Sequence, residues 1–336
     1  MTRPKVFISH RMPEAGIRLI EDYCDIDYYG GTEPLSKEDF VARAREADAV
    51  LAFVCDFVDE DIVRSISNVR VISSFGKGYD NIDVDACTRH NVLVTVNPDA
   101  LTDSTADLAI GLLLAVSRNI LPGDRHVRSG KFAGWHATNC LGRDFHHSAI
   151  GIVGLGVIGQ AVARRAAGFG VSILYHDIRR KPDWEEAGKV HYMELVDLMK
   201  ESDFILVAVD LRPESVHLID EAALRFVKPG AYLVNVSRGS IVDEAAVARA
   251  LKEDRLAGYA ADVFEFEDRA VPERNVSIPD ELLQETDRTV FTPHIGTGTV
   301  QARERLAVSS ANQLLAALRG EIPTGAVNSV RVPRMI

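Results

Sequence analysis

Long apolar runs are missing from this sequence: none approaches the ~18 residues that span a bilayer as a helix. Cysteine is scarce. The four that occur, at positions 24, 55, 87 and 140, form no Cys-x-x-Cys pair and no zinc-ligand spacing. That excludes a zinc ribbon and a disulfide scaffold, and leads to the expectation of reduced thiols in a cytoplasmic protein. No His-Glu-x-x-His occurs among the ten histidines, the adjacent His146 and His147 read as a solvated loop, and no metal is expected. Positive charge is in deficit. The 38 Lys and Arg against 49 Asp and Glu leave a formal net charge of −11, which argues against nucleic acid as a main partner. An anionic ligand would therefore need a local basic pocket. Met1 to Lys5 lack a signal-peptide pattern, so no membrane partner is expected. There are no internal repeats and no low-complexity segments.

What is present is an ordinary globular composition, 46% hydrophobic and 26% charged, at a length that suggests two domains. Short apolar runs alternate with helical patterns. They fall at 6–8, 50–54, 71–74 and 92–96, and again at 149–153, 171–175, 204–209, 232–236, 258–263 and 289–292. Strands of this kind between helices imply parallel α/β sheets covered on both faces, and there are too many for one ordinary sheet. A helix is expected over 104–120, apolar on most faces and therefore buried, between domains or in a subunit interface. Another is expected over 299–318.

The most specific signal is the run after 149–153. Gly154, Gly156 and Gly159 form a Gly-x-Gly-x-x-Gly turn, a helical pattern and a second apolar run follow, and Asp177 stands eighteen residues past the last glycine. Strand, glycine turn, helix, strand and acid read as a dinucleotide-binding βαβ unit. Gly154 permits the tight turn, Gly156 lets the backbone approach a pyrophosphate, and Gly159 lets helix and strand pack closely. Val157 and Ile158 open the helix whose free N–H groups face the phosphates. Asp177 can accept hydrogen bonds from the ribose hydroxyls and repel a 2′-phosphate, which favours NAD over NADP. Arg179 and Arg180 follow it and leave NADP possible.

Three further motifs lie at predicted strand ends: Ser237-Arg238-Gly239, the stretch Asp262 to Glu267-Asp268, and Pro293-His294-Ile295-Gly296. In this order they resemble the D-2-hydroxyacid dehydrogenase family, and the resemblance covers nearly the whole chain. It implies a Rossmann doubly wound parallel sheet, residues 101–295, inserted into a second, flavodoxin-like α/β substrate domain made of residues 1–100 and 296–336. The active site would lie in the cleft between them, with hinges near 97–101 and 293–298. By resemblance, Arg238 anchors the substrate anion, His294 is the general acid/base and Glu267 orients it. Asp262 would contact the nicotinamide carboxamide and Thr105 the cofactor phosphates. Val209, Ser237, His294 and Gly296 complete the cofactor contacts, and a homodimer is implied.

Within the family, Gly76-Lys77-Gly78, the run from Arg128 to Trp135, the stretch 258–268 and Arg303 resemble the phosphonate (phosphite) dehydrogenase branch. Lys77, Gly78, Trp135 and Arg303 are the substrate-binding residues this implies. Three cations, Lys77, Arg238 and Arg303, would suit a small dianion, so phosphite is the expected substrate. The alternative is a 2-keto acid such as glyoxylate or hydroxypyruvate, for which one arginine suffices. A dinucleotide-sensing binding protein is a third reading, weakened by the intact Arg238, Glu267 and His294.

Overall fold

The computed structural model describes residues 3–98 and 101–336. The chain divides into two units, Met1–Leu101 with Thr297–Ile336, and Thr102–Gly296. Each is built on a wholly parallel sheet, as the continuous apolar runs require.

The first unit holds strands β1 (Lys5–Ile8), β2 (Asp25–Tyr28), β3 (Ala49–Ala52), β4 (Val71–Ser74) and β5 (Leu93–Thr95) in the order β2-β1-β3-β4-β5, the flavodoxin-like winding. Successive side chains point to opposite faces, so Val6 and Ile8 enter one core and Phe7 the other. The helix Val300–Leu318 packs on β4. Its start is fixed by Thr299, whose hydroxyl accepts the Ala302 N–H at 3.1 Å.

The second unit holds β6 (Ala149–Val153), β7 (Ser172–His176), β8 (His191–Tyr192), β9 (Phe204–Val207), β10 (Ala231–Asn235), β11 (Leu256–Ala261) and β12 (Thr289–Phe291) in the order β12-β11-β10-β9-β6-β7-β8. Counted from β6 this is the Rossmann winding with one strand added, and its switch point lies between β6 and β9. The register brings His176, Val153, Val207, Asn235, Ala261 and Phe291 side by side across the sheet. Six strands thus end on one line, and the glycine turn, Asp177 and the three motifs around Arg238, Asp262 and His294 all follow those ends.

Two strands were not expected. In β2, Asp25-Ile26-Asp27-Tyr28 carries no apolar run because it is a sheet edge, and β8 is a two-residue edge strand at the far side of the other sheet. The helix expected over 104–120 is Thr102–Ser117. Asn119 adopts a left-handed backbone, φ 52°, which ends it, and a separate helix Ile120–Arg128 leaves at 63°. Its apolar faces are used inside its own unit: Ala106, Ile110 and Leu113 share a core with Ile150, Ile152 and Val162. Among the described residues no single helix is long and apolar enough to cross a membrane. The expected hinge at 97–101 includes residues 99 and 100, which lie outside the described residues.

Candidate active site

The glycine turn follows β6 at the switch point. Gly154 has φ 97°, and a Cβ there would meet the Ala208 carbonyl oxygen at 2.5 Å and Val209 Cγ1 at 2.6 Å, so neither the conformation nor the space admits a side chain. A Cβ on Gly159 would run into the Gly154 carbonyl oxygen, whereas one on Gly156 would meet nothing within 4 Å. The open side of Gly156 is where the helix Val157–Ala167 begins, with no side chain capping its first N–H groups. A dinucleotide's pyrophosphate fits this cradle: space, unclaimed donors and a helix N-terminus coincide. Val157 is exposed and Ile158 half-buried at the rim. At the end of β7, Asp177 accepts the Leu155 N–H at 2.8 Å and the Arg179 N–H at 3.0 Å, which fixes its carboxylate against the turn. Across the switch point, the Ser237 hydroxyl donates to the Val209 carbonyl, so Val209, Ser237 and Gly154 are neighbours.

The three motifs follow the adjacent strands β10, β11 and β12. After β12, His294 is held in a left-handed conformation, φ 51°, a strained setting for a side chain and one common at functional sites. The loop carrying it is organised by Asp262, which follows β11. Asp262 is 2% exposed. Its carboxylate accepts the Thr292 hydroxyl at 2.6 Å and the backbone N–H groups of Ile295 and Gly296 at 2.8 and 2.7 Å. Expected at the nicotinamide, Asp262 thus has its carboxylate engaged by the histidine loop. Gly296 also touches Thr105, since a Cβ there would lie 3.1 Å from Oγ1. His294 Nδ1 lies 2.7 Å from Glu267 Oε2, and Glu267 Oε1 accepts the Phe264 N–H at 2.8 Å. With a carboxylate on Nδ1, that nitrogen carries the proton and Nε2 is left to work. Arg238, half-buried, follows β10. The Asn235 side chain donates to its carbonyl at 2.8 Å and accepts the Ser237 N–H at 3.1 Å.

Behind this group lie residues that the sequence reading passed over. Glu244 and Glu265 are fully buried and clasp each other's backbone, each carboxylate accepting the other's N–H at 2.9–3.0 Å. Burial pushes the Glu244 carboxyl up to about 8, against the pull of the Glu265 N–H, and the neighbouring Glu265, Asp268 and Glu267 charges add to the rise. The folded protein therefore keeps this proton while the unfolded chain releases it near 4.5. Stability falls as pH rises from about 4.5 to about 8 and this contribution is flat above. Glu244→Gln removes the titration. Its unfolding free energy relative to wild type is expected to rise between pH 5 and pH 9, by a difference of order a few kcal/mol; a constant offset across that range overturns the assignment.

Of the remaining expected residues, Lys77, Gly78 and Arg303 belong to the first unit. Lys77 and Gly78 lie on the loop after β4, which Asn97 pins by donating its N–H to the Gly76 carbonyl at 2.8 Å and its amide to the Ser74 carbonyl and Ser310 Oγ, each at 2.9 Å. Arg303 stands in the first turn of the helix that carries Ser310. Trp135 is 85% exposed. Arg180, expected as a possible 2′-phosphate ligand, is paired with Glu185 and lies 4.9 Å over the Tyr192 ring. Cys87 is buried, which pushes its thiol up to about 12 and leaves it inert.

Residues 110–296 match the family described as D-isomer specific 2-hydroxyacid dehydrogenase, NAD binding domain. The chain is 41% identical to a glyoxylate reductase of Pyrococcus horikoshii over 330 residues, covering 97% of this chain and 96% of that one. It is 42% identical to a glyoxylate reductase of Thermococcus litoralis, covering 97% of each. Among solved structures it is similar to the TT0316 protein of Thermus thermophilus, with a TM-score of 0.87 at 33% identity over 96% of this chain and all of that one.

Proposed function

We propose that this chain, which belongs to the D-isomer specific 2-hydroxyacid dehydrogenase family, reduces a small 2-keto acid of the glyoxylate class to the 2-hydroxy acid with NADH. The observation that carries this reading is the His294–Glu267 pair at 2.7 Å, with Arg238 following a strand of the same dinucleotide-binding sheet one strand away from the histidine's. The phosphite substrate expected from the sequence gives way to the keto acid, because the relatives similar over the whole length are named glyoxylate reductases. The three cations that suggested a dianion do not require one, since a monocarboxylate needs Arg238 alone.

The dinucleotide, when bound, supplies the hydride. The chain's own residues do the rest. The Arg238 guanidinium takes the substrate carboxylate through two parallel N–H donors. His294, protonated, donates from Nε2 to the keto oxygen as negative charge develops there. Glu267 keeps the other ring nitrogen protonated and the ring in one orientation. Asp262 holds the backbone of the loop so that the imidazole does not swing. Thr105, Gly154, Gly156, Val157, Ile158, Gly159, Asp177, Val209, Ser237 and Gly296 are assigned to the cofactor. NADH is preferred to NADPH on two grounds: Asp177 presents a fixed negative charge at the end of β7, and Arg180 is engaged by Glu185 and Tyr192.

The test is an assay at 340 nm with purified protein. Saturable oxidation of NADH by glyoxylate, weaker with NADPH, supports the reading. NADH formation from NAD and phosphite, with silence toward keto acids, restores the dianion reading. Tight dinucleotide binding without turnover in either assay points to a sensor.

A homodimer is proposed from a surface of the second unit. Ile120, Leu121, Val127, Phe132, Trp135 and Leu141 all expose apolar side chains within 22 residues of chain, more than scattered surface residues would. Light scattering is expected to give about twice the 36.9 kDa chain mass, and Phe132→Glu with Leu141→Glu is expected to give the monomer. A wild-type monomer at micromolar concentration refutes it.

A further inference from the structure

Two successive carboxylates leave the short turn Glu265–Glu267, and they serve different neighbours. Glu267 reaches His294. The next residue, Asp268, is 3% exposed, and its Oδ2 accepts the Ser240 N–H at 2.7 Å. Ser240 stands two residues after Arg238. Between them, Gly239 lies so close to the Phe264–Glu265 backbone that a Cβ would overlap it, so the segment carrying Arg238 rests directly on the turn carrying Glu267. The Asp268 backbone is itself anchored, its N–H donating to the Glu265 carbonyl at 3.0 Å and its carbonyl accepting from Val271 at 2.9 Å. On its other flank the Arg238 segment is gripped by the fully buried Asn235.

Burying a carboxylate is costly unless it makes strong hydrogen bonds. A backbone N–H tethered to an ionised acceptor is held more tightly than one tethered to a neutral group. Asp268 uses that strength on the peptide next to Gly239, a residue that cannot carry a side chain there and so adds no anchor of its own.

We propose that Asp268 is a positioning residue for Arg238: one turn sets the acid/base through Glu267 and the anion-binding guanidinium through Asp268, and so fixes the spacing between them. This rests on the assignment of Arg238 to the substrate carboxylate. The consequence is a division of labour between adjacent acids. Loss of Asp268 loosens substrate binding, which is felt in ground and transition state alike, and so acts on the KM for the keto acid rather than on kcat.

The experiment is steady-state kinetics of the full-length wild type, Asp268→Ala, Asp268→Asn and each of these in an Arg238→Ala background, with glyoxylate and NADH varied in turn. The KM for glyoxylate is expected to rise about tenfold in Asp268→Ala and about threefold in Asp268→Asn, whose amide oxygen is a weaker acceptor. The KM for NADH should stay within about twofold of wild type. In the Arg238→Ala background either change should add less than about twofold, because the two residues act as one unit. An unchanged glyoxylate KM, a parallel rise in the NADH KM, or full additivity with Arg238→Ala each overturns the proposal. Where Asp268→Ala does not fold, Asp268→Asn decides by the same readings. A wild type inactive toward every 2-keto acid refutes the function instead, an outcome visible before any variant is compared.

Discussion

Replacing His294 with Ala is expected to lower kcat for glyoxylate reduction by roughly 10²–10⁴-fold while NADH still binds. The size follows from what His294 alone contributes. Nδ1 is taken by Glu267, so the one mobile proton of the pair leaves from Nε2, and among the described residues no other titratable side chain is bonded to that ring. NADH binding should survive because the glycine turn after β6 and the carboxylate of Asp177 are built without His294. One complication is removable. His294 has φ 51°, a conformation that Ala tolerates poorly and Asn tolerates well, so His294→Asn separates loss of the imidazole from collapse of the loop. Both variants should lose turnover alike. Adding Glu267→Gln to either should cost little more, since an orienting carboxylate has nothing left to orient. Turnover within tenfold of wild type in His294→Asn would remove the histidine from the proton step.

The site was legible in the sequence where chemistry depends on the order of residues along one strand end, and illegible where it depends on packing between segments. The glycine turn with Asp177 could be read because Gly154, Gly156 and Gly159 answer to local backbone demands. Strands β9 to β12 could be read because a sheet buried on both faces needs unbroken apolar runs. By contrast β2, half charged, has an edge strand's composition, and only its pairing with β1 defines it. The break at Asn119 was hidden in a run whose apolar character continues through Ile120 and Leu121. Asp262 was recognised as a site residue, but its engagement with the loop 292–296 depends on β11 and β12 ending in register. No role could be read for Asp268 or Glu244 in sequence, since an acid's residue type does not announce that a glycine elsewhere will let two backbones close over it.

Arg238→Ala is expected to reduce kcat/KM for glyoxylate by about 10²–10³-fold, the usual consequence of removing one partner of a desolvated charge pair, with most of the loss in KM. Arg238→Lys is expected to recover less than about tenfold of it. An ammonium is a point charge and can satisfy one carboxylate oxygen well, whereas the guanidinium fork meets both and so fixes the plane of the substrate as well as its distance. That orientation matters here because Arg238 and His294 follow strands separated only by β11, and the carboxylate and the keto oxygen of a 2-keto acid are one carbon apart. A substrate pinned at both carboxylate oxygens has its keto group set by its own covalent geometry, so the arginine positions the reacting carbonyl without touching it. Free guanidinium added to Arg238→Ala should therefore restore part of the activity at millimolar concentration, and restore more than added ammonium does. If Arg238→Lys equals wild type, the fork is not what holds the substrate, and a single charge from another side chain must be assigned that task.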